Sequence, residues 1–197
     1  MGIRLIMEET DPRQLLVKVA SILKDLQVPY AVTGGMAVFV WGRPRFTADI
    51  DIVIMLEAKE ASVFRDALKE ISRVSYIDSD AIETALRSHG EFNFIDGVSG
   101  IKVDFWVSKN DAFAKNQLER RIGKEILGET IYFMSPEDLI LSKLLWYREG
   151  KSSKHLEDIE SILKIQKKVD YAYIEKWAKL HRTDEVLEPL IAKIKGE

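Results

Sequence analysis

Apolar spacing predicts alternating helices and strands over the first two thirds of the chain. Asp11 and Pro12 are suited to begin a helix as its N-cap and first residue, and apolar residues then recur at helical spacing as far as Leu26. Short apolar or alternating runs predict the elements that follow. The predicted strands cover residues 30–32, 45–56, 92–95, 101–107 and 130–134, and the predicted helices cover residues 36–40, 58–71, 81–88 and 112–122.

The pattern changes at Ser135. A serine N-cap, a proline at the first helical position and two acids in the first turn favour the start of a long helix. This helix is expected to end near Gly150, and two or three more helices follow from about residue 154. We therefore predict an α+β protein with a core domain over residues 1–134 and a helical C-terminal part over residues 135–197.

The composition narrows the classes of chemistry. The chain has 197 residues, of which 46% are hydrophobic, and this is enough for one well-buried core with a helical annex. It contains no cysteine, which excludes disulfides, thiolate metal sites and a cysteine nucleophile. The formal net charge of −3 gives no general attraction to nucleic acid or to an anionic membrane.

The N-terminal sequence MGIRLIMEETDPR carries charges early and lacks the long apolar run of a signal peptide. No stretch of the chain approaches the roughly 20 apolar residues that cross a bilayer. We expect a cytoplasmic protein without a membrane partner.

Two aspartates interrupt an apolar strand pattern. Alternate residues of a strand share a face, so Asp49 and Asp51 point the same way as Arg45 and Thr47, and the isoleucines between them point the other way. Asp104 lies on a second alternating strand. If both strands turn their apolar faces to the same core layer, Asp104 joins the first two aspartates, provided that the register is right.

Three carboxylates that lie close together repel one another, so either a proton or a cation must stabilise them. Mg²⁺ or Mn²⁺ is the natural occupant of a site built from oxygen ligands. An Asp-x-Asp pair is also common on solvated strand edges, but aspartate is depleted within strands. We therefore favour a metal site for Asp49 and Asp51. The predicted position of Asp104 on the same face supports its inclusion in this site.

Two other Asp-x-Asp chemistries match these residues. Phosphatases of the haloacid dehalogenase type use Asp-x-Asp-x-Thr/Val, which the segment 49–53 matches literally, and nucleotide-sugar glycosyltransferases also use Asp-x-Asp. In those proteins the apolar strand precedes the aspartates. Here it follows them, which argues against both classes.

A glycine pair precedes the aspartates by 14 to 17 residues. Gly34 and Gly35 lie between a predicted strand and a predicted helix, where backbone N–H groups approach a phosphate and the helix N-terminus favours negative charge. Two glycines alone are a weak signal, since many turns contain them.

These residues together resemble the DNA polymerase β-type nucleotidyltransferase superfamily, and more narrowly the small prokaryotic proteins related to AbiEii toxins of abortive-infection systems. The resemblance rests on the glycine pair, on the run from Arg45 through Thr47 and Asp49 to Asp51, and on the distant Asp104. It implies a mixed sheet flanked by helices, a bound nucleoside triphosphate and two divalent metals. It further implies metal binding by all three aspartates, with Asp104 also helping to activate the acceptor.

The resemblance extends more weakly into the C-terminal helices. Lys143 resembles the helix lysine of AbiEii-type proteins, and the segment from Lys154 to Asp158 resembles their basic-then-Asp motif. Lys143 lies on an apolar helix face, where a lysine either snorkels to solvent or reaches a triphosphate, and Arg148 and Lys154 add local positive charge. Asp158 either orients a basic neighbour or forms a local ion pair.

The resulting hypothesis is a Mg²⁺- or Mn²⁺-dependent nucleotidyltransferase of toxin–antitoxin or abortive-infection type. Asp49, Asp51 and Asp104 are its predicted catalytic and metal-binding residues. The predicted nucleotide-binding residues are Gly34, Gly35, Arg45, Thr47 and Lys143. The acceptor is a protein side chain, an RNA 3′ end or a small molecule, and an antitoxin is a further candidate partner. The alternatives are a non-catalytic, nucleotide-binding or regulatory member of the same fold and a purely structural domain.

Overall fold

The computed structural model describes residues 11–196, so the expectation for the first ten residues lies outside the described part of the chain. The helices are α1 (Pro12–Asp25), α2 (Gly34–Trp41), α3 (Ala61–Lys69), α4 (Ser79–Ser88), α5 (Ala112–Glu119), α6 (Pro136–Gly150), α7 (Ser153–Ile165), α8 (Tyr171–His181) and α9 (Asp184–Lys195). The strands are β1 (Tyr30–Val32), β2 (Asp49–Ile54), β3 (Tyr76–Ile77), β4 (Glu91–Ile95), β5 (Lys102–Val107), β6 (Ile122–Ile126) and β7 (Glu129–Phe133).

The strands of the described residues form one mixed sheet in the order β3-β4-β5-β2-β1-β7-β6. Strand β2 runs parallel to β5, and β1 runs parallel to β7, whereas β4 is antiparallel to both β3 and β5. The predicted α+β class with a mixed sheet, flanking helices and a helical C-terminal part is thus confirmed. Within residues 11–196, no helix is both long and apolar enough to cross a membrane.

Local signals located most of the elements, and they failed where the signal was weak. The predicted strand 45–56 is shorter, since β2 begins only at Asp49 and an irregular segment follows Pro44. The helix predicted over residues 112–122 ends at Glu119, and Ile122 is the first residue of β6. Sequence analysis missed β6 because most of its side chains are exposed at a sheet edge and show no apolar alternation.

The described chain divides into two compact units that interleave along the sequence. One consists of residues 11–30, 48–109 and 123–131, and the other of residues 31–47, 110–122 and 132–196. They are called unit 1 and unit 2 below. The predicted division at Ser135 stays a prediction, and the helix start predicted there is confirmed, because the Ser135 side chain accepts a hydrogen bond from the Asp138 backbone.

Unit 1 is built on one apolar face of its strands. The inward residues of β2 and β5 are fully or nearly fully buried, and helix α4 packs against β4 and β5. Phe64 of α3 meets Phe105 edge-on at 5.2 Å between ring centroids, and Phe92 of β4 stacks on Phe105 at 5.2 Å. This aromatic cluster holds α3 against β4 and β5.

Unit 2 is a helical assembly around α6, which contacts α2, α7 and α8. A buried polar network fixes the start of α6. Asp138 is completely buried and accepts hydrogen bonds from Ser135 and from the Tyr173 hydroxyl, both at 2.6 Å, while Nε of Arg120, the residue that follows α5, lies 3.4 Å away. Burial raises the pKa of the Asp138 carboxyl, although its hydrogen bonds act in the opposite direction. The network ties α5, α6 and α8 together.

Replacement of Phe64 by alanine tests the aromatic cluster. Phe64 is fully buried, so we expect Phe64→Ala to lower the free energy of unfolding by about 3–5 kcal/mol, through lost transfer energy and a cavity. Val63, the preceding residue of the same helix, is 54% exposed, and Val63→Ala should change it by less than about 0.5 kcal/mol. Urea titration measures both. Equal effects of the two substitutions would contradict the assignment of the core face.

Acidification should destabilise unit 2 through His181. Its ring contacts Phe113 edge-on, with 4.4 Å between the ring centroids. Burial and, to a lesser extent, the charge of Arg148 lower the pKa of His181 from its usual value of 6.5. The unfolded chain therefore binds more protons below pH 6.5, and stability is lost as the pH falls from about 7 toward the lowered pKa. We expect a fall in melting temperature between pH 7.5 and 5.5 that is smaller in His181→Phe. Identical pH profiles would rule out this source.

Candidate active site

The open face of β2 carries the predicted aspartate pair. Ile50, Ile52 and Ile54 are fully buried, while Asp49 and Asp51 lie on the other face and are partly exposed. Alternation of buried and open positions therefore fixes the direction of both carboxylates. The predicted shared face of the two aspartates is confirmed.

Strand β5 adds the third aspartate. In its parallel pairing with β2, Asp104 is the partner of Asp51, and Phe105 is the buried partner of Ile52. Paired residues of neighbouring strands share a face, so the structure confirms that Asp104 lies on the same face as Asp49 and Asp51. Their catalytic and metal-binding roles stay predictions.

Lys102 is a member of this face that sequence analysis missed. It is the pairing partner of Asp49, and its Nζ lies 2.7 Å from Asp104 Oδ2 and 4.0 Å from Asp49 Oδ2. The hydrogen bond to Asp104 raises the pKa of Lys102 above its usual value. A signal was present in the sequence, since Lys102 is two residues before Asp104 on the same alternating strand.

Glu91 is a fourth carboxyl group in the same electrostatic environment. It lies on β4, opposite Trp106 of β5. Burial is the main cause of its raised pKa, and the negative charges of Asp104 and Asp51 add to the effect, while Lys102 opposes it. The sequence prediction started this strand one residue later, so Glu91 was not considered.

The chemistry of this face fits a hard divalent cation. Its donors are carboxylate oxygens, which Mg²⁺ and Mn²⁺ prefer, and a positively charged ammonium already lies between Asp49 and Asp104. Within residues 11–196, no group of three or more His, Cys, Asp or Glu side chains is already arranged to hold a metal ion.

The glycine pair lies in unit 2, at the start of α2. Gly34 has a positive φ of 60°, a backbone conformation that glycine adopts without strain. A Cβ at Gly35 would lie 2.5 Å from the Thr47 hydroxyl oxygen, so only glycine permits this close approach. The structure thus brings together Gly35 and Thr47, two of the predicted nucleotide-binding residues.

A buried ion network joins three more of the candidates in unit 2. Arg45 binds Asp158 through two parallel hydrogen bonds of 2.8 and 2.9 Å, and Lys143 Nζ lies 2.9 Å from Asp158 Oδ2. The side chains of Lys143 and Asp158 are each only 3% exposed. Lys143 therefore does not snorkel to solvent, and Asp158 orients two basic groups at once.

The electrostatics of this network favour a charged Asp158. Burial alone raises its pKa, but hydrogen bonds from Arg45 and the charge of Lys143 outweigh burial, and the net shift is downward. The pKa of nearby His155 is also lowered, by burial first and then by the charge of Lys143, so its neutral form is favoured. Two basic side chains thus contact the Asp158 carboxylate.

The remaining candidates lie at the margin of these contacts. Arg148 is exposed and donates a hydrogen bond to the backbone carbonyl of His181 at the end of α8. Lys154 is exposed at the start of α7, where its charge contributes to the lowered pKa of His155. The predicted residues thus form two groups: the carboxylate face in unit 1, and the glycine turn and ion network in unit 2.

Comparison with solved structures shows the fold. The antibiotic-resistance factor ANT(2″)-Ia is 14% identical with a TM-score of 0.55, and the match covers 96% of this chain and 97% of that one. A nucleotidyltransferase-like protein of Paracoccidioides brasiliensis is 18% identical with a TM-score of 0.55, over 91% of both chains. The lincosamide antibiotic adenylyltransferase LnuA is 14% identical with a TM-score of 0.52, over 80% of this chain and 98% of that one.

Sequence comparison gives the family. Among curated proteins no match was found. Residues 20–193, which include both groups of candidate residues, match the family described as nucleotidyl transferase AbiEii toxin, type IV TA system. The chain therefore belongs to the AbiEii family of nucleotidyl transferase toxins.

Proposed function

We propose that this nucleotidyltransferase is metal-dependent and transfers a nucleoside monophosphate from a nucleoside triphosphate to a hydroxyl acceptor. The observation that carries the proposal is the register of β2 and β5, which sets Asp104 beside Asp51 on the face that also holds Asp49. The fold by itself would not require acidic residues at these three open strand positions, because aspartate is disfavoured within strands.

In the proposed reaction the acceptor oxygen forms a bond to the α-phosphorus. The bond from this phosphorus to the bridging oxygen of the β-phosphate breaks, and pyrophosphate leaves. Asp104 accepts the proton of the attacking hydroxyl. A divalent ion held by Asp49, Asp51 and Asp104 would supply charge neutralisation to the triphosphate.

Arg45, Lys143 and the glycine pair are proposed to bind phosphate groups of the nucleoside triphosphate. Arg45 and Lys143 bring two basic side chains to one carboxylate, that of Asp158, and basic side chains of this kind bind phosphate oxygens. Gly34 and Gly35 are proposed to present backbone N–H groups at the start of α2. Asp158 acts as a positioning residue, since it holds the planar Arg45 guanidinium by two hydrogen bonds.

The partners follow from the family and stay proposals. Because the family is one of type IV toxin–antitoxin systems, we propose a cognate antitoxin that opposes the activity of this chain. We propose that the protein acts in the cytoplasm, where nucleoside triphosphates are abundant. The acceptor is a protein side chain, an RNA 3′ end or a small molecule.

Transfer of label from α-³²P-labelled NTPs in the presence of Mg²⁺ or Mn²⁺ tests the reaction across these three acceptor classes. We expect Asp49→Asn and Asp51→Asn to reduce transfer by about a hundredfold or more, because each removes a charged oxygen donor. Asp25→Asn is the control, since this aspartate is exposed at the end of α1. Unchanged transfer by the first two variants would refute the mechanism. Metal-dependent NTP binding without transfer to any acceptor would favour the non-catalytic alternative.

Substitution of Lys143 separates a nucleotide role from a purely structural one. Lys143→Met keeps the length of the side chain but removes one of the two cations, so we expect NTP affinity to fall about tenfold. Lys167→Met removes a charge from an exposed position of unit 2 and should leave NTP affinity unchanged. Calorimetric titration measures both, with circular dichroism to verify folding. A folded Lys143→Met protein with wild-type affinity would assign Lys143 to stabilisation of Asp158 alone.

A further inference from the structure

Lys102 contacts two of the carboxylates that are proposed to bind a divalent metal. Its ammonium lies 2.7 Å from Asp104 Oδ2 and 4.0 Å from Asp49 Oδ2. It therefore lies between carboxylates of two strands. The proposed reaction assigns both of these carboxylates to a divalent ion.

The surroundings explain why a cation is needed there. Three carboxyl groups, those of Asp104, Asp49 and Glu91, act on the Lys102 ammonium, and Asp51 is the pairing partner of Asp104. Only 13% of the Asp104 side chain is exposed, so water screens its repulsion from the others incompletely. Lys102 offsets part of this repulsion when no metal is bound.

We propose that Lys102 is a built-in counter-ion that competes with the divalent metal for Asp104. This inference rests on the proposed metal-dependent reaction. A metal that binds Asp104 must break the ion pair with Lys102, so the free enzyme binds metal more weakly than its carboxylates alone would. Lys102 thereby makes metal binding depend more strongly on bound nucleotide.

The position of Lys102 supports coupling to the nucleotide. Its side chain is 38% exposed, so the ammonium is free to swing on its flexible stem when Asp104 takes a metal. The displaced ammonium remains on the open face of the strands, where an anionic triphosphate is its natural partner. Metal and nucleotide then bind together more tightly than either binds alone, and Lys102 is a positioning residue for this coupling.

The test is a titration of the nucleotide-free full-length protein with Mn²⁺, followed by electron paramagnetic resonance of the unbound ion. We expect Lys102→Met to bind Mn²⁺ about three- to tenfold more tightly than the wild type, because both the competitor and its charge are removed. Lys102→Arg keeps the charge and should remain near wild-type affinity. Lys109→Met, which removes one positive charge from an exposed position just after β5, is the matched control and should also remain near the wild type.

Asp104→Asn provides the second control. In this background the addition of Lys102→Met should change Mn²⁺ affinity by less than about twofold, since the contested carboxylate is gone. With a non-hydrolysable NTP present, the advantage of Lys102→Met should shrink or reverse, because the variant lacks the ammonium that would contact the triphosphate.

The outcomes separate this inference from the proposed function. If the wild type binds Mn²⁺ and Lys102→Met binds it equally or more weakly, Lys102 is not a competitor, while the metal-dependent reaction stands. An equal gain in Lys109→Met would show a general charge effect and would also overturn the inference. If neither the wild type nor Lys102→Met binds Mn²⁺, with or without NTP, both proposals fail.

Discussion

The in-register parallel pairing of β2 and β5 is the constraint on which the carboxylate face depends. Side chains alternate along a strand, so a slip of one residue would turn Asp104 into the core and expose Phe105. Burial of the isoleucines of β2 and of Phe105 opposes such a slip. The hydrophobic contacts that stabilise unit 1 thus also set Asp51 beside Asp104.

This arrangement brings together groups that repel one another, and the fold compensates for it locally. Lys102 belongs to the same alternating strand as Asp104, and its position beside Asp49 follows from the same register. The cluster and its counter-ion are therefore specified together. Repulsion among the carboxylates favours a cation beside them, and Lys102 supplies one from the protein itself.

In unit 2, the buried Asp158 carboxylate contacts two basic side chains, those of Arg45 and Lys143. A buried ion pair costs desolvation energy that its own attraction only partly returns, so its value lies in geometry. Asp158 holds the flat Arg45 guanidinium in one orientation while it also neutralises the buried Lys143. Nearby, Thr47 lies so close to Gly35 that a Cβ at this glycine would be 2.5 Å from the Thr47 hydroxyl oxygen. The Asp158 network therefore orders two of the predicted nucleotide-binding residues, Arg45 and Lys143.

The sequence by itself determined the features that depend on neighbouring residues. The alternation around Asp49 and Asp51 set their common face, and the serine and proline at positions 135 and 136 set the start of α6, because strand faces and helix caps are local properties. Only the tertiary structure decided that Asp104 pairs with Asp51, that Lys102 binds Asp104, and that Arg45 meets Asp158, which is 113 residues away. Such contacts depend on which strands pair and which helices pack, and no local pattern specifies that choice.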